Sequence, residues 1–385
     1  MAFMTWNHLR RYACWCLCLL CAAGKAQPKG ESIVRITNPG PVAFANAVVE
    51  IPWATVRAAY PQADTAQLRV IHLATGKEVP CQWERMGGKT VQNLLVQVSV
   101  GAGETLQLAL RRGKPTKITP LTYARYVPER FDDFAWENDR IAFRIYGAAL
   151  GSRSDNAYGT DVWSKRTRQL ILNKWYRQND YHKDNGEGLD YYKVGLTLGA
   201  GDMGVFLGDS IGYIHNYRSW EILDNGPLRS TFRVKYDPYP FGGITVTMTK
   251  TISIDAGSQL SRTQVEVVHT AAGLLPVVAG ITLREEPGVL LLDEQKGILG
   301  YWEPRHGNDG TLGIGCVFPA APVSMRRQYG HGLTKLGVRS GDSVVYYTGA
   351  AWDKAGIITT GEAWFEYLQQ FATGLKNPLT VRVVK

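Results

Sequence analysis

The chain has 385 residues, of which 45% are hydrophobic and 20% are charged, and its formal net charge is +9. This composition is typical of a globular protein with enough apolar residues for more than one core, and it excludes a chain dominated by low-complexity segments. The positive charge is spread along the sequence, without a basic helix or a nucleic-acid-binding motif, so nucleic acid is not expected as a partner.

The first 26 residues are predicted to be an export signal. Arg10 and Arg11 give a positive start, residues 13–23 are apolar, and small residues precede a cleavage point after Ala26. The apolar run is too short to cross a bilayer, and no later segment is long and apolar enough to do so. We therefore expect a secreted or periplasmic protein without a membrane span. Removing the three cations of the signal lowers the net charge from +9 to +6.

The cysteines indicate little metal chemistry. Four of the six lie in the predicted signal, which leaves Cys81 and Cys316. In an oxidising compartment these two could form one disulfide, but two buried free thiols are an equally open alternative. No cysteine pair has the spacing of metal ligands.

Residues 27–115 are predicted to form a small antiparallel β-sandwich. Short alternating segments, typical of strands, occupy residues 33–36, 48–51, 68–73, 94–100 and 105–110. Turn-forming residues separate these segments at the spacing expected of a sandwich.

Residues 116–385 are predicted to form a larger domain, after a proline-containing connector at 113–130. Only residues 361–371 have a good amphipathic helix pattern, with Trp364, Leu368 and Phe371 on one side. The strand patterns of this part cover residues 141–146, 192–198, 229–236, 244–254, 261–268, 277–283, 311–318, 343–348 and 380–384. The expected fold class is therefore all-β, with a large two-sheet antiparallel sandwich following the small one.

The densest mixture of aromatic and charged residues lies at 174–192. Four Tyr, one Trp, one His, three cations and four carboxylates share these 19 residues. Because no apolar stripe crosses its middle, we expect this segment to be a wall of a site rather than a core element. Rings can stack on sugars and cations can hold acid groups, so a carbohydrate site is favoured. A tyrosine-rich surface loop with neutralised charges is the alternative.

Two sets of segments resemble known families. Residues 226–234, followed by the paired strands around 254–262, are similar to the galactose-mutarotase-like supersandwich of sugar epimerases and polysaccharide lyases. Residues 136–147, 161–165 and 181–190 resemble a family of exported Bacteroidetes proteins of unknown function from polysaccharide-utilisation loci. The resemblance extends to an oligosaccharide dehydratase of ulvan breakdown and covers nearly the whole chain after residue 26. It implies a catalytic or sugar-binding supersandwich domain over 116–385 and an acidic oligosaccharide or polysaccharide as partner.

Such a partner suggests β-elimination on a uronate. A base removes the C5 proton, a cation neutralises the carboxylate, and an acid protonates the group that leaves C4. Loss of a sugar makes the enzyme a lyase, and loss of water at a chain end makes it a dehydratase. We favour His182, Tyr181 and His215 as catalytic candidates, because imidazole changes charge near neutrality and a phenol can donate a proton.

The candidates for substrate binding are cations, rings and one further histidine, namely Lys174, Tyr176, Trp163, Lys183, Arg218 and His306. His331 is a further site candidate, whereas His72 and His269 lie in or beside strand patterns and are interpreted as packing residues. Arg144 alternates with apolar residues, so it faces either a concave sheet or solvent.

Two other functions are left open. One is a noncatalytic glycan-binding protein, and the other is a glycoside hydrolase that takes a carboxylate pair from Asp180, Asp184, Glu187 and Asp190. No cofactor is expected. A divalent metal is a minority alternative, because the acids of the block do not have the spacing of an EF-hand loop and no histidine pair has zinc-ligand spacing.

Overall fold

The computed structural model describes residues 32–384, so the predicted export signal and its four cysteines lie outside the described residues. The elements of the first part of the chain are strands β1 (Ser32–Thr37), β2 (Phe44–Pro52), β3 (Leu68–His72), β4 (Cys81–Glu84), β5 (Asn93–Val100) and β6 (Thr105–Arg112), with helix α1 (Trp53–Ala59). The remaining elements are β7 (Thr122–Val127), β8 (Asp133–Asn138), β9 (Ala142–Ile145), β10 (Asp161–Lys165), α2 (Leu172–Gln178), β11 (Gly188–Leu189), β12 (Ala200–Leu207), β13 (Ser210–Gly212), β14 (Ser219–Asn225), β15 (Arg229–Lys235), β16 (Tyr239–Phe241), β17 (Ile244–Asp255), β18 (Leu260–His269), β19 (Leu275–Thr282), β20 (Val289–Asp293), β21 (Ile298–Trp302), β22 (Leu312–Val317), β23 (Ser324–Gln328), β24 (His331–Val338), β25 (Ser343–Trp352), α3 (Gly361–Lys376) and β26 (Thr380–Val384).

A small antiparallel sandwich forms the first part. One sheet has the order β26-β1-β6-β3 and the other the order β2-β5-β4. Alternate residues of both sheets meet in a shared core that includes Val34, Leu94 and Leu108. The first sheet takes one strand from far along the chain, because β26 pairs with β1 in the register Arg35 to Arg382.

Three larger antiparallel sheets form the rest. Their orders are β11-β10-β9-β8-β7, then β13-β12-β19-β24-β23, and finally β14-β15-β17-β18-β25-β22-β21-β20 with β16 paired to β17. The long strand β17 shows why these residues form strands, since its burial alternates and points Val246, Met248 and Ile252 into the main core. The all-β class, with a small sandwich followed by a large antiparallel supersandwich, is therefore confirmed.

The sheet of β7 to β11 positions the candidate site. Strands β8, β9 and β10 are buried along their whole length, because both of their faces are covered. Phe134 and Phe143 face the main core, whereas Ala135 and Trp163 face an aromatic cluster that includes residues of α2.

Several sequence expectations are corrected. Residues 192–198 form no regular strand, and the predicted connector contains the strand β7. Helix α2 was not expected, although its buried Leu172, Trp175 and Tyr176 have the i, i+3, i+4 spacing of a short amphipathic helix. Helix α3 confirms the predicted helix and buries Trp364 and Leu368.

The two cysteines of the described chain are free. Cys81 lies in the small sandwich and Cys316 in the main core. Burial raises the pKa of the Cys81 thiol to about 11 and that of the Cys316 thiol to about 12, with a smaller contribution from nearby carboxylates. Both groups are therefore neutral thiols at physiological pH, and the disulfide alternative does not hold.

Candidate functional site

Three rings of the 174–192 segment form a small core with Trp163. Trp163 stacks on Tyr181 with ring centroids 4.7 Å apart and on Trp175 at 5.6 Å, and Tyr176 lies 5.0 Å away. Trp163 is 0% exposed, and the other three rings are also buried. None of them has an open face for a sugar in this structure, so the expectation that this segment is no core element is corrected. The cluster instead gives the following loop a rigid base.

A buried ionic cluster lies behind that loop. The Arg144 guanidinium donates to Asp161 at 2.9 Å and to Asp190 at 3.1 Å, and it lies 3.4 Å from Asp133. Of the two orientations considered for Arg144, the structure therefore shows the buried one. Burial and the neighbouring Asp161 carboxylate hold the pKa of Asp190 well above its usual range. Three carboxyl groups therefore share the Arg144 guanidinium, and the raised pKa values of Asp133 and Asp190 limit the negative charge of the cluster.

The His182 ring lies at the rim of the cluster. Its side chain is 67% exposed, and Nδ1 lies 2.9 Å from the backbone carbonyl oxygen of Asp190. A carbonyl can only accept a hydrogen bond, so Nδ1 carries the hydrogen and Nε2 of the neutral ring keeps a free lone pair. The ring is thus oriented by the backbone and presents Nε2 away from it. Its neighbour Tyr181 is buried and accepts from Arg130 Nε at 3.4 Å.

His306 has a similar arrangement on a second loop. Its ring stacks on Tyr191 with centroids 5.1 Å apart and planes 21° apart. Its Nδ1 lies 3.0 Å from Asp309 Oδ2, and the side chain is 59% exposed. An ionised carboxylate accepts hydrogen bonds only, so Nδ1 donates here as well and Nε2 is again available.

The two loops meet. His182 bonds to residue 190 and His306 stacks on residue 191, and the Cα atoms of consecutive residues are only about 3.8 Å apart. A second connection runs through Arg166, which pairs with Asp184 of the first loop and lies over the Trp352 ring at 5.3 Å. Trp352 Nε1 in turn donates to the backbone carbonyl of Asp309 at 2.7 Å. These contacts link the two loops, and we call the two loops together with Arg166, Tyr191 and Trp352 the histidine site.

Sequence patterns did not reveal several members of the histidine site. Arg166 and Lys354 bring two cations to the Trp352 ring, at 5.3 and 6.0 Å. The Tyr191 hydroxyl is buried and has no hydrogen-bond partner among residues 32–384. Burial, then the nearby Glu303 carboxylate, raises the pKa of Tyr191, so this hydroxyl stays protonated. Tyr191 lies in the predicted 174–192 block and Trp352 just after a predicted strand, and only the fold shows that both contact the loop of His306.

The other predicted residues lie around the site or away from it. Lys174 pairs with Glu187 at 2.8 Å, and Lys183 is exposed on the His182 loop. His215 stacks on Tyr158 at 4.8 Å, while Arg218 lies 3.9 Å from Asp237. In the described part of the chain, neither His215 nor Arg218 contacts the two loops of the histidine site. His215 therefore lies apart from the two loops, and its catalytic role stays a prediction.

His331 is a structural residue in this fold. It is 2% exposed, donates from Nδ1 to the Tyr329 carbonyl at 2.6 Å and accepts at Nε2 from the Leu198 amide at 3.4 Å. Burial lowers its pKa, although the bond to Tyr329 opposes this effect. A neutral, fully hydrogen-bonded imidazole has no free nitrogen for a ligand.

Among residues 32–384, no group of three His, Cys, Asp or Glu side chains is placed to hold an ion. The acids considered for calcium have separate partners, since Asp184 pairs with Arg166, Glu187 with Lys174 and Asp190 with Arg144. Over the same residues, the structure has no helix of the length and apolarity that a membrane span requires.

Comparisons with known proteins place the chain in a family. Residues 36–381 match the family described as "Domain of unknown function (DUF4861)". A relative from Formosa agariphila, named "Uncharacterized protein P7", is 30% identical over 318 residues, which cover 76% of this chain and 78% of the relative.

Among solved structures, the chain is similar to a glycosyl hydrolase family 38 protein from Enterococcus faecalis, with a TM-score of 0.47 and 12% identity, over 93% of this chain and 48% of that one. An alpha-mannosidase from E. faecalis V583 has a TM-score of 0.45 and 9% identity, over 93% and 46%. The chain thus spans about half the length of both solved proteins. The match over residues 36–381 shows that the chain belongs to the DUF4861 family.

Proposed function

We propose that the protein is a carbon–oxygen lyase that acts on uronate-containing oligosaccharides by β-elimination at the histidine site. The observation that carries this proposal is that His182 and His306 are each held next to one of two consecutive residues, Asp190 and Tyr191. Each ring is fixed through Nδ1 and presents Nε2, and the two rings contact consecutive residues of one segment. Two oriented imidazoles can supply the base and the acid that an elimination needs.

The elimination moves one proton onto the base and another from the acid. The base takes the C5 proton, and the electrons of the C5–H bond form the C4–C5 double bond. The C4–O bond breaks with its electron pair, and the departing oxygen takes a proton from the acid. His182, whose Nδ1 partner is a neutral carbonyl, is assigned the base role. His306, whose Nδ1 is held by the Asp309 carboxylate, is assigned the complementary acid role.

Cations near the rings can hold the uronate carboxylate. Charge that develops on this group in the transition state requires a positive partner at short range. Arg166 and Lys354 lie against the same Trp352 ring, and Trp352 bonds to the loop that carries His306. Tyr191, whose buried hydroxyl stays protonated, cannot serve as the base. Tyr181 is too buried to reach a substrate here, so its catalytic role stays a prediction.

The hydrolase alternative has less support. Its general acid should hold a proton near neutrality. For Asp184, burial would raise the pKa, but hydrogen bonds from the Gly186 amide and Arg166 lower it overall. The hydrogen bond from Lys174 lowers the pKa of Glu187. Both groups are therefore held as carboxylates, whereas Asp190, whose pKa is raised, is buried against Arg144 and cannot reach a substrate.

The dehydratase form, in which water leaves C4 at a chain end, is our preferred version. It rests on the resemblance of residues 136–147, 161–165 and 181–190 to the exported family whose resemblance extends to the ulvan dehydratase. An exported location, proposed from residues 1–26, would bring the protein to polysaccharide fragments outside the cytoplasm.

The test is turnover of acidic oligosaccharides, followed by the ultraviolet absorbance of the conjugated unsaturated uronate and by mass spectrometry. Loss of one water without chain cleavage identifies a dehydratase, and chain cleavage with absorbance identifies a lyase. We expect His182→Gln and His306→Gln each to lower kcat by roughly 10²–10⁴-fold, the usual contribution of a positioned acid or base.

His72→Gln, in the small sandwich, is the matched control and should retain wild-type turnover. Unchanged sugars across a broad panel would refute the enzyme proposal and leave a glycan-binding protein. New reducing ends without absorbance would favour the hydrolase. Full activity of both histidine variants would remove the histidine site from the mechanism.

A further inference from the structure

A second concave surface lies on the outer face of the five-stranded sheet β13-β12-β19-β24-β23, whose strands do not include the two histidine loops. Strand alternation sends Ser324, Arg326 and Gln328 of β23 to one face. In register, Lys335 pairs with Ser324 and Leu333 pairs with Arg326, so these side chains adjoin on that face. The resulting depression has a volume of about 110 Å³ and is open to solvent on one side. We call it the outer groove.

The floor of the outer groove is apolar and includes an aromatic ring. Val278 and Leu333 are buried at 1% and 2% exposure, and Phe206 is partly exposed beside them. Lys335 Nζ lies 4.9 Å from the centre of the Phe206 ring. A ring next to small apolar side chains offers the flat surface on which the C–H face of a sugar can pack.

The rim of the outer groove carries more positive than negative charge. Within residues 32–384, neither Arg326 nor Lys335 has a carboxylate oxygen within 4.0 Å. The one acid of the lining, Asp209, accepts a hydrogen bond from the Gln328 amide at 3.1 Å. Two cations without carboxylate partners favour an anionic group, while Asp209, Gln328 and Ser324 can bond to hydroxyl groups.

An alternative is that Arg326 and Lys335 are ordinary solvated side chains. Exposed cations are common, and a single cation over a ring contributes little at a surface. The combination here is more specific, because both cations border a depression with an aromatic floor and with hydroxyl-binding groups on its rim. A bare inorganic anion would use the cations and leave the ring and the Asp209 carboxylate without a role.

We propose that the outer groove is a second, noncatalytic binding site for an acidic saccharide unit, whose ring packs on Phe206 while its carboxylate or sulfate contacts Arg326 and Lys335. The proposal takes its ligand class from the proposed function, but it requires no turnover. An oligosaccharide held here would keep the enzyme on its polymer between reaction events at the histidine site. The class of ligand is set by one anionic group and one hydroxyl-bearing ring.

The test is equilibrium binding by calorimetry of uronate and sulfated oligosaccharides to the full chain. Every groove variant is made in the double variant His182→Gln/His306→Gln, so that turnover cannot consume the ligand. We expect Arg326→Gln and Lys335→Gln each to weaken binding by about tenfold, the effect of losing one charge-assisted contact. Phe206→Leu keeps an apolar floor without the ring and should also weaken binding. The matched control is Arg327→Gln, since Arg327 neighbours Arg326 on β23 but alternates to the other face.

Three results would overturn the proposal. One is equal loss of affinity in Arg327→Gln and Arg326→Gln, which would indicate a general charge effect. Another is equal binding of inorganic sulfate and of the oligosaccharides, which would show that the groove recognises charge alone. The third is unchanged affinity in all groove variants. Because turnover of the wild-type protein is measured separately, an inert outer groove with an active histidine site contradicts only this proposal, and the reverse result contradicts only the lyase.

Discussion

Replacing Asp133 with Asn should make the protein more stable at neutral pH and leave its stability in mild acid almost unchanged. Asp133 is 1% exposed and lies 3.4 Å from Arg144, with the Tyr176 hydroxyl at 3.3 Å. Its second carboxylate oxygen is buried without a partner in the described structure. Burial raises the pKa of Asp133 from 3.8 to about 6, although Arg144 acts in the opposite direction. Compared with the unfolded chain, the folded protein therefore favours the protonated form of Asp133.

The magnitude follows from the two pKa values. Below pH 3.8 the group is protonated in both states and carries no ionisation penalty. Between pH 3.8 and about 6, Asp133 ionises more readily in the unfolded chain than in the folded protein, so the free energy of unfolding falls over this range. A rise of roughly two pKa units corresponds to a loss of about 3 kcal/mol, complete above pH 7. An amide resembles the protonated acid and avoids this loss.

The assay is urea unfolding of the wild type and Asp133→Asn between pH 4 and pH 8. The difference in unfolding free energy should be small at pH 4 and rise towards about 3 kcal/mol in favour of the variant at pH 7. Asp180→Asn changes an exposed acid of the same region and serves as the control. A difference that does not vary with pH, or one that favours the wild type at pH 7, would refute the assigned direction.

Three further changes test the packing around the site. Lys165→Met should lower the unfolding free energy by about 3–5 kcal/mol in urea titrations, because it leaves the fully buried Glu137, now 2.7 Å from Lys165 Nζ, without its cation. Gly188→Ala should lower the melting temperature far more than Gly186→Ala. A Cβ at 188 would lie 1.9 Å from a backbone oxygen of the facing strand, whereas one at 186 meets nothing within 4 Å. Similar losses of melting temperature in the two variants would contradict the steric reason. Thr360→Ala should cost about 1 kcal/mol by chemical denaturation, because the Thr360 hydroxyl caps helix α3, and Thr360→Ser should restore most of it.

Much of the fold could be predicted because strands leave a local signal. The alternation at 244–254 and 261–268 corresponds to β17 and β18, and the amphipathic pattern at 361–371 corresponds to α3. Residues 192–198 alternate in the same way but form no strand. The backbone of this segment is instead held by contacts with residues distant in the sequence, since Arg284 donates to the Lys193 carbonyl at 2.9 Å. Such long-range contacts leave no periodic pattern in the sequence.

The candidate site was only partly predictable for a related reason. Composition drew attention to residues 174–192, but it could not separate the exposed His182 from the buried Trp175 and Tyr181. Burial depends on what covers a ring, and Trp163, which stacks on both Trp175 and Tyr181, lies on strand β10. The stacking of His306 on Tyr191 joins residues more than a hundred positions apart, and a single sequence holds no record of that contact.

The pairing of β26 with β1 also constrains when the small sandwich can be completed during synthesis. Thr37 and Thr380 are 343 residues apart, and at about 5–20 residues per second a ribosome needs roughly 20–70 s to travel that distance. For that time β1 has a partner on one side only, and its other edge is open to pairing with another chain. A nascent chain would therefore benefit from a chaperone or from delayed folding, and a tag fused close behind residue 384 would disturb the beginning of the fold rather than its end.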